Sequence, residues 1–172
     1  MGFGFRCGFL GLLHLEIFQE RLKREFDLDI TLTAPTVAYY VYLKNGDKIL
    51  ITSPSALPDE NQIERIEEPV VSIDLITPSS YMGGLMKYIQ EKRGSIVSTE
   101  YINESRLLLV YKLPLSSIVI DFYDIIKNLS SGYASYTYNF VGYVPCDVIR
   151  LDFLTADERV PALTVLVRRD EA

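Results

Sequence analysis

VVSIDLITPSSYMGGLMKYIQEKRGSIVSTEYINESRLLLVYKLPL, residues 70–115, changes its hydrophobic period twice. Val70–Ile76 is a short β-branched run and reads as a strand. Thr77-Pro78 then offers an N-cap residue and a proline at the first helical position. Met82, Leu85, Met86 and Ile89 recur at i, i+3, i+4 and i+7, which is one apolar face of a helix. Gly94, just after Lys92 and Arg93, is a conventional helix stop. Ser95–Ile102 predicts a second strand, Asn103-Glu104 a turn, and Ser105–Leu113 a third strand apolar enough to be central.

Working outward, Pro114 and Ser116 or Ser117 open a second helix. Its face is Phe122, Ile125, Ile126 and Leu129, and Gly132 closes it. Tyr133–Tyr143 alternates Tyr136, Tyr138 and Phe140 with Ser135, Thr137 and Asn139, which predicts a half-buried strand. The order is βαββαβ over residues 67–145, the α+β, split βαβ or ferredoxin-like arrangement, with two helices over one face of a four-stranded antiparallel sheet.

The first 66 residues look like the second half of another such domain. Phe3–Phe9 reads as a strand, and Leu12–Phe26 as a helix with Leu15, Phe18, Leu22 and Phe26 inward and Glu20–Arg24 as an exposed i, i+4 pair. Ile30–Leu43 is long and extended, and Asn45-Gly46 is a hairpin signal leading into Lys48–Thr52. Ser53–Asn61, with Pro54 and Pro58, reads as a linker. Cys146–Ala172 predicts a β-hairpin around Ala156–Arg159. The expected division is therefore 1–66, 67–145 and 146–172. Met1 runs straight into an apolar strand, so a cut in a longer chain is expected there. Strand edges left open by such a cut would favour self-association.

Bulk properties exclude several classes. Hydrophobic residues make up 48% and charged residues 23%, which argues against disorder. No apolar run approaches the ~20 residues of a membrane span, and no signal-peptide pattern is present. Net charge is −6, and each of the three parts carries −2, so no segment is a basic arm. Cys7 and Cys146 are far apart and outside any Cys-x-x-Cys pair, which points to reduced thiols in a cytosolic protein.

Catalytic constellations are sparse. His14 is the sole histidine, and a metal site would want more than one His or Cys ligand. A structural role, packing or bonding to neighbouring backbone, outweighs a catalytic one, and a Cys7–His14 nucleophile pair would lack a third, orienting group. Glu67-Glu68 reads as a solvated linker end, and Asp121 and Asp124 as solubility charges. No Gly-x-x-x-x-Gly-Lys-Ser/Thr phosphate loop occurs. Gly83-Gly84 reads as an allowance for close helix–sheet packing rather than as a ligand site. Gly2-Phe3-Gly4-Phe5 copies the heart of an RRM signature, but Arg6 and Gly8 break it.

Two features suit an interface. Nine of the twelve tyrosines fall in residues 67–145, and tyrosine has an apolar body with a polar tip. Lys87, Lys92, Arg93, Lys127, Arg168 and Arg169 are the basic spots that would touch ribosomal or other RNA phosphates. Lys92 and Arg93 would equally suit a helix carboxyl end.

The residue strings carry a resemblance. Gly2–Glu16, GFGFRCGFLGLLHLE, closely resembles the third domain of LepA, also called elongation factor four, and elongation factor G has a related stretch. Glu67–Gly94, EEPVVSIDLITPSSYMGGLMKYIQEKRG, resembles a later domain of both factors, as do Tyr111–Leu115, YKLPL, and Ser131–Ser135, SGYAS. GYAS and FRCGFLGLLH favour LepA. The chain thereby resembles this family of translational GTPases over nearly its whole length.

The resemblance implies part of the third domain, the domain resembling the fifth of elongation factor G, and the start of the LepA carboxy-terminal domain. It implies a non-catalytic ribosome-docking role in a factor acting on stalled or mistranslocated ribosomes. The implied partners are rRNA and ribosomal proteins near the GTPase-associated region, with tRNA contact through the full carboxy-terminal domain. It implies no cofactor in this stretch, GTP and Mg in the parent, and a cytoplasmic setting with peripheral association at the inner membrane face. The residues alone leave two rivals: a stand-alone RRM-like RNA-binding module, and a small-molecule-sensing ferredoxin-like regulatory domain.

Overall fold

The computed structural model describes residues 7–9, 12–30, 36–155, 158–159 and 164–169. The chain forms two compact units, residues 1–34 and 35–172.

In the first unit, helix α1 spans Leu12–Phe26. Arg21 donates twice to Glu25, at 2.9 and 3.1 Å, and Arg24 lies 3.8 Å from Glu20 one turn back. These are the i, i+4 pairs of an exposed helix face. Asp27 takes a left-handed φ of 52°, and Leu28 N–H bonds back to Leu22 O, closing the helix. Of the face expected inward, Leu15 and Leu22 are half-buried, but Phe18 and Phe26 are exposed. Phe18 packs on Phe9 at 5.3 Å between ring centroids. The strand expected at Phe3–Phe9 lies mostly outside the described residues, and Cys7–Phe9 form none.

The second unit is built on one long strand. Its elements are β1 (Tyr39–Leu43), β2 (Lys48–Ile51), β3 (Ile63–Pro78), α2 (Met82–Glu91), β4 (Ser95–Tyr101), β5 (Arg106–Pro114), α3 (Phe122–Leu129) and β6 (Ser135–Cys146). Four short strands follow: β7 (Val148–Leu151), β8 (Leu154–Thr155), β9 (Glu158–Arg159) and β10 (Val165–Arg168). From β3 to β6 the order is βαββαβ, and the sheet runs β6-β3-β5-β4, all antiparallel. This is the expected ferredoxin-like domain. The sheet also crosses the boundary expected at 66/67: β1 pairs with β3 at residues 63–67, and β2 pairs with β1. β7 pairs with β10 as a separate antiparallel ribbon, and β8 with β9 as another.

Alternation along β3 and β5 explains the main core. Val71, Ile73 and Leu75 face Leu113, Tyr111 and Leu109 across the ladder, and all are at most 1% exposed. Leu85 and Ile89 of α2 and Phe122 and Ile126 of α3 close over them. Each such side chain, fully withdrawn from water, contributes about 1.5–3 kcal/mol. A second core gathers Val37, Tyr39, Val41, Ile51, Leu57, Ile66 and Val148. Register places Ile66 on the opposite face of β3 from Val71, so the two cores lie on opposite faces of one sheet.

Several local expectations need correction. Thr77 and Pro78 do not start α2: β3 runs through them, and a 3-10 turn at Ser79–Tyr81 precedes the helix. Ladder partners Leu107 and Arg106 hold both residues extended, so tertiary pairing overrides the N-cap signal. Gly83 and Gly84 are exposed, and a Cβ at either would meet nothing within 4 Å, so no close packing uses them. The left-handed residue ending α2 is Arg93, φ 67°, not Gly94. Gly94 is required for a different reason: its N–H bonds to Ile89 O at 2.8 Å, and a Cβ there would fall 2.7 Å from that oxygen. β6 is not half-buried, since Tyr138 and Phe140 stand out beyond the helices on an edge strand. Within the expected linker Ser53–Asn61, two 3-10 turns press Leu57 into the second core.

Helix α3 ends through Ser130, whose buried hydroxyl donates to Ile126 O at 2.7 Å and accepts from Ala134 N–H at 2.9 Å. The Tyr111 hydroxyl has no partner among the described residues, although its side chain is fully buried. An unsatisfied buried hydroxyl costs about 1–3 kcal/mol. Tyr111→Phe is therefore expected to leave stability unchanged or to raise it by up to about 1 kcal/mol. Urea unfolding decides this, and a loss above about 1 kcal/mol would show that the hydroxyl is satisfied in solution.

Candidate functional site

β1 leaves β3 after Glu67, and β5 joins it at Val70, so Glu68 and Pro69 fall in a gap along that edge. Pro69 has no N–H to leave unpaired there. Arg93 fills the gap from the end of α2. Its guanidinium forks onto Glu68, with Nη1–Oε1 at 2.6 Å and Nη2–Oε2 at 3.0 Å, and Nη2 also reaches Ser116 Oγ at 3.4 Å. Glu68 is only 3% exposed. The expectation that Glu67-Glu68 is a solvated linker end is thus wrong for Glu68. Continuing the β3 ladder across the 66/67 boundary carries this carboxylate inside, where only a fixed cation makes burial tolerable. Desolvation, followed by the nearby Glu68 charge, pushes the Tyr39 hydroxyl and the Cys146 thiol each up to about 12. Cys146 is thus a protonated, inert thiol near neutral pH.

The expected phosphate contacts are dispersed. Lys87 is exposed on α2. Lys92 caps that helix, with Nζ 5.8 Å from the centre of the Tyr88 ring. Arg93 is engaged as described. Lys127 on α3 donates to Gly132 O at 3.2 Å and lies 5.5 Å from the Tyr123 ring. Arg168 is half-buried on β10, and Arg169 is paired with Glu60 and Asp147. His14 and Cys7 are both exposed, and His14 is not packed into a core among the described residues.

A cluster absent from these candidates appears where β1, β2, β3 and β6 meet. Register puts Tyr40 and Tyr42 of β1, Lys48 of β2, Arg65 and Glu67 of β3 and Tyr143 of β6 on one face. The Arg65 guanidinium stacks 3.6 Å above the Tyr42 ring, and Lys48 Nζ lies 3.8 Å above the Tyr40 ring. Glu67 orders the stack: its carboxylate accepts from Tyr42 Oη at 3.1 Å and from Arg65 Nε at 3.2 Å. Hydrogen bonding with Tyr42 raises the pKa of Lys48, and Tyr42 with Glu67 raises that of Arg65, so both stay cationic. Tyr143 continues the row 4.4 Å from Tyr40, and Phe140 lies 5.6 Å from Tyr143. A bulge in β6 opposite Val70/Val71, with Gly142 at φ 153°, sets the spacing of those two rings. Tyr-x-Tyr before Asn45-Gly46, with Lys48 just past it, is the signal in the sequence; Arg65 comes from a distant strand and carries none.

An RRM would need rings on the open face of its central strands. Here that face carries Ser72, Asp74 and Ile76 of β3 opposite Lys112, Val110 and Leu108 of β5. None is aromatic. Among the described residues no group of three or more His, Cys, Asp or Glu could hold a metal ion, and no helix is long and apolar enough to cross a membrane.

Comparison with known proteins bears on the same residues. Elongation factor 4 of Bacillus cereus (strain B4264) is 48% identical over all 172 residues, and those of Anoxybacillus flavithermus and Symbiobacterium thermophilum are 49% identical. In each case the match covers the whole of this chain and 28% of the relative's length. The family model for the elongation factor G C-terminus matches residues 65–152, from the start of the long strand β3 through β7. The split βαβ sheet with its buried Glu68–Arg93 clasp is thus a domain of translation elongation factors, and the chain belongs to the elongation factor G C-terminus family.

Proposed function

We propose that the chain is the ribosome-docking part of a cytoplasmic translational GTPase, and that it contributes shape and adhesion rather than chemistry. In this reading the longer protein acts on stalled or mistranslocated ribosomes, moving tRNAs backwards. Residues 1–66, 67–145 and 146–172 are then parts of three of its domains, the last being the start of the one that reaches tRNA. The observation that carries the proposal is the 48% identity to elongation factor 4 along every residue of the chain. The geometry supports a passive role, because a sheet with cores on both faces resists bending and leaves its edges and loops for contact.

GTP and Mg belong to the longer protein in this reading. The residues here do not fit them: no phosphate loop is encoded, and the described carboxylates do not converge on a metal position. Lys87, Lys92, Lys127 and Arg168 would touch rRNA phosphates or ribosomal protein near the GTPase-associated region, with Arg93 and Arg169 adding charge at the margins of their ion pairs.

The expected result is binding of the 172-residue chain to purified ribosomes in a sedimentation assay at low salt, lost at high salt, because screened surface charges supply the attraction. Titration with GTP is expected to give no signal. A saturable GTP response, or absence from the ribosome pellet at low salt, would overturn the proposal.

A further inference from the structure

We infer that the aromatic–cation ridge formed by Phe140, Tyr143, Tyr40, Lys48, Tyr42 and Arg65 is a binding surface for an unpaired RNA segment. The inference rests on the ribosome-docking reading for its biological setting and on geometry for its chemistry. Three observations carry it. The rings form a continuous row, with centroids 5.6 Å apart from Phe140 to Tyr143 and 4.4 Å from Tyr143 to Tyr40. Phe140 is 60% exposed although it sits on a strand, where an apolar ring gains nothing from water. The row ends on two cations held above rings, with one carboxylate, Glu67, serving both Tyr42 and Arg65. In a chain of net charge −6, this ridge is locally positive.

Unpaired RNA matches that order of groups. Bases stack on aromatic rings and on guanidinium planes, while phosphates between them need cations along the same line. The Arg65 guanidinium carbon lies 3.6 Å from the centre of the Tyr42 ring and the side chain is 46% exposed, which leaves its solvent side available to a base. Glu67 fixes that plane in advance, which lowers the ordering cost of binding. A protein partner would have to bury Lys48 and Arg65 against carboxylates of its own, and nothing on the ridge other than its charge selects for that. Duplex RNA offers no splayed base to Phe140.

The test uses the full chain and a fluorescein-labelled oligouridylate, read by anisotropy across a salt series. The parent chain is expected to bind with an affinity that falls as salt rises. Lys48→Gln with Arg65→Gln should weaken binding at least tenfold and flatten the slope of log K against log salt by about 1.4, since each phosphate contact on a single strand contributes about 0.7. Phe140→Ala should weaken binding about tenfold and leave the slope unchanged, as expected for lost stacking. Lys112→Gln, on the open face of the sheet away from the ridge, should change neither. Thermal unfolding of each variant checks that the fold survives, and Arg65→Lys, which keeps charge but not the plane, should keep the slope and lose affinity.

Absence of oligouridylate binding by the parent chain overturns the inference, and so does an unchanged affinity in Phe140→Ala. If the ridge variants lose ribosome sedimentation while the parent chain ignores oligouridylate, the ridge faces a protein and the inference is wrong. Sedimentation of the parent chain with ribosomes reports separately on the docking reading. Loss of that signal with oligouridylate binding intact would remove the docking role and leave the ridge.

Discussion

Arg93→Met is expected to lower the free energy of unfolding by about 3–4 kcal/mol, because it strands the Glu68 carboxylate in a site that water hardly reaches. Arg93 itself is 25% exposed at its side chain, which places the loss toward the lower end of the range for buried pairs. The fork at 2.6 and 3.0 Å spans 25 residues of sequence and ties the end of α2 to the strand that both cores share. Two comparisons sharpen the test. Arg93→Gly removes the same charge but relieves a left-handed φ of 67°, so it should be about 1 kcal/mol less damaging than Arg93→Met. The double variant Glu68→Leu with Arg93→Met should recover at least half of the loss, since both members of the pair are then apolar. Urea midpoints measure all four chains. A loss below about 1 kcal/mol in Arg93→Met would mean that solvent satisfies the carboxylate once Arg93 is gone.

Phe122→Ala should cost about 4 kcal/mol. Phe122 is 1% exposed and is the residue where α3 seats on the sheet. Its ring meets Tyr136 edge-on at 5.2 Å and Tyr88 at 5.7 Å, so its removal loses transfer energy, opens a cavity and dissolves two aromatic contacts. Asp121, just before it, holds φ 56°, so the helix start cannot slide to refill the space without giving up that turn. Phe122→Leu keeps most of the volume and should lose about 1.5 kcal/mol. Equal losses in the two variants would show that α3 is held by its ends rather than by this ring.

The two variants fail for reasons of different legibility. Phe122 was readable as a core residue because Phe122, Ile125, Ile126 and Leu129 repeat at helical spacing, and period alone assigns an apolar face. Even there the pattern overreached: Leu129 is 39% exposed, since α3 covers the sheet with only part of its stripe. Arg93 was readable as a cation at a helix end, which is true and beside the point. Its partner lies 25 residues back on a strand whose length was underestimated. Glu68 looked like linker because it stands beside Glu67 and before Pro69, and local composition cannot show that β6 pairs with it on one edge while Arg93 fills the gap on the other.

The candidate site divides in the same way. Lys87, Lys92, Arg93, Lys127, Arg168 and Arg169 can be named from the sequence because charge is visible one residue at a time, yet nothing in the chain's order says which of them share a surface. The ridge was missed because its members come from four strands spread between Tyr40 and Tyr143. Tyr138 and Phe140 were read as buried because alternation reports which residues share a face, and an edge strand shares a face with the core while lying outside its cover.

From sequence alone came the split βαβ order at residues 67–145, the helix at Leu12–Phe26, the turns at Asn45-Gly46 and Asn103-Glu104 and the resemblance to translation factors. All of these depend on periods, turn signals and strings that are continuous in sequence. Tertiary structure alone decided that β1 and β2 extend the same sheet, that Glu68 is clasped inside it by Arg93, and that tyrosines and cations from distant strands line up into one ridge. The physical reason is that ladder pairing and burial are properties of surfaces brought together over long sequence separations. A chain read in order records each surface and leaves open which ones will meet.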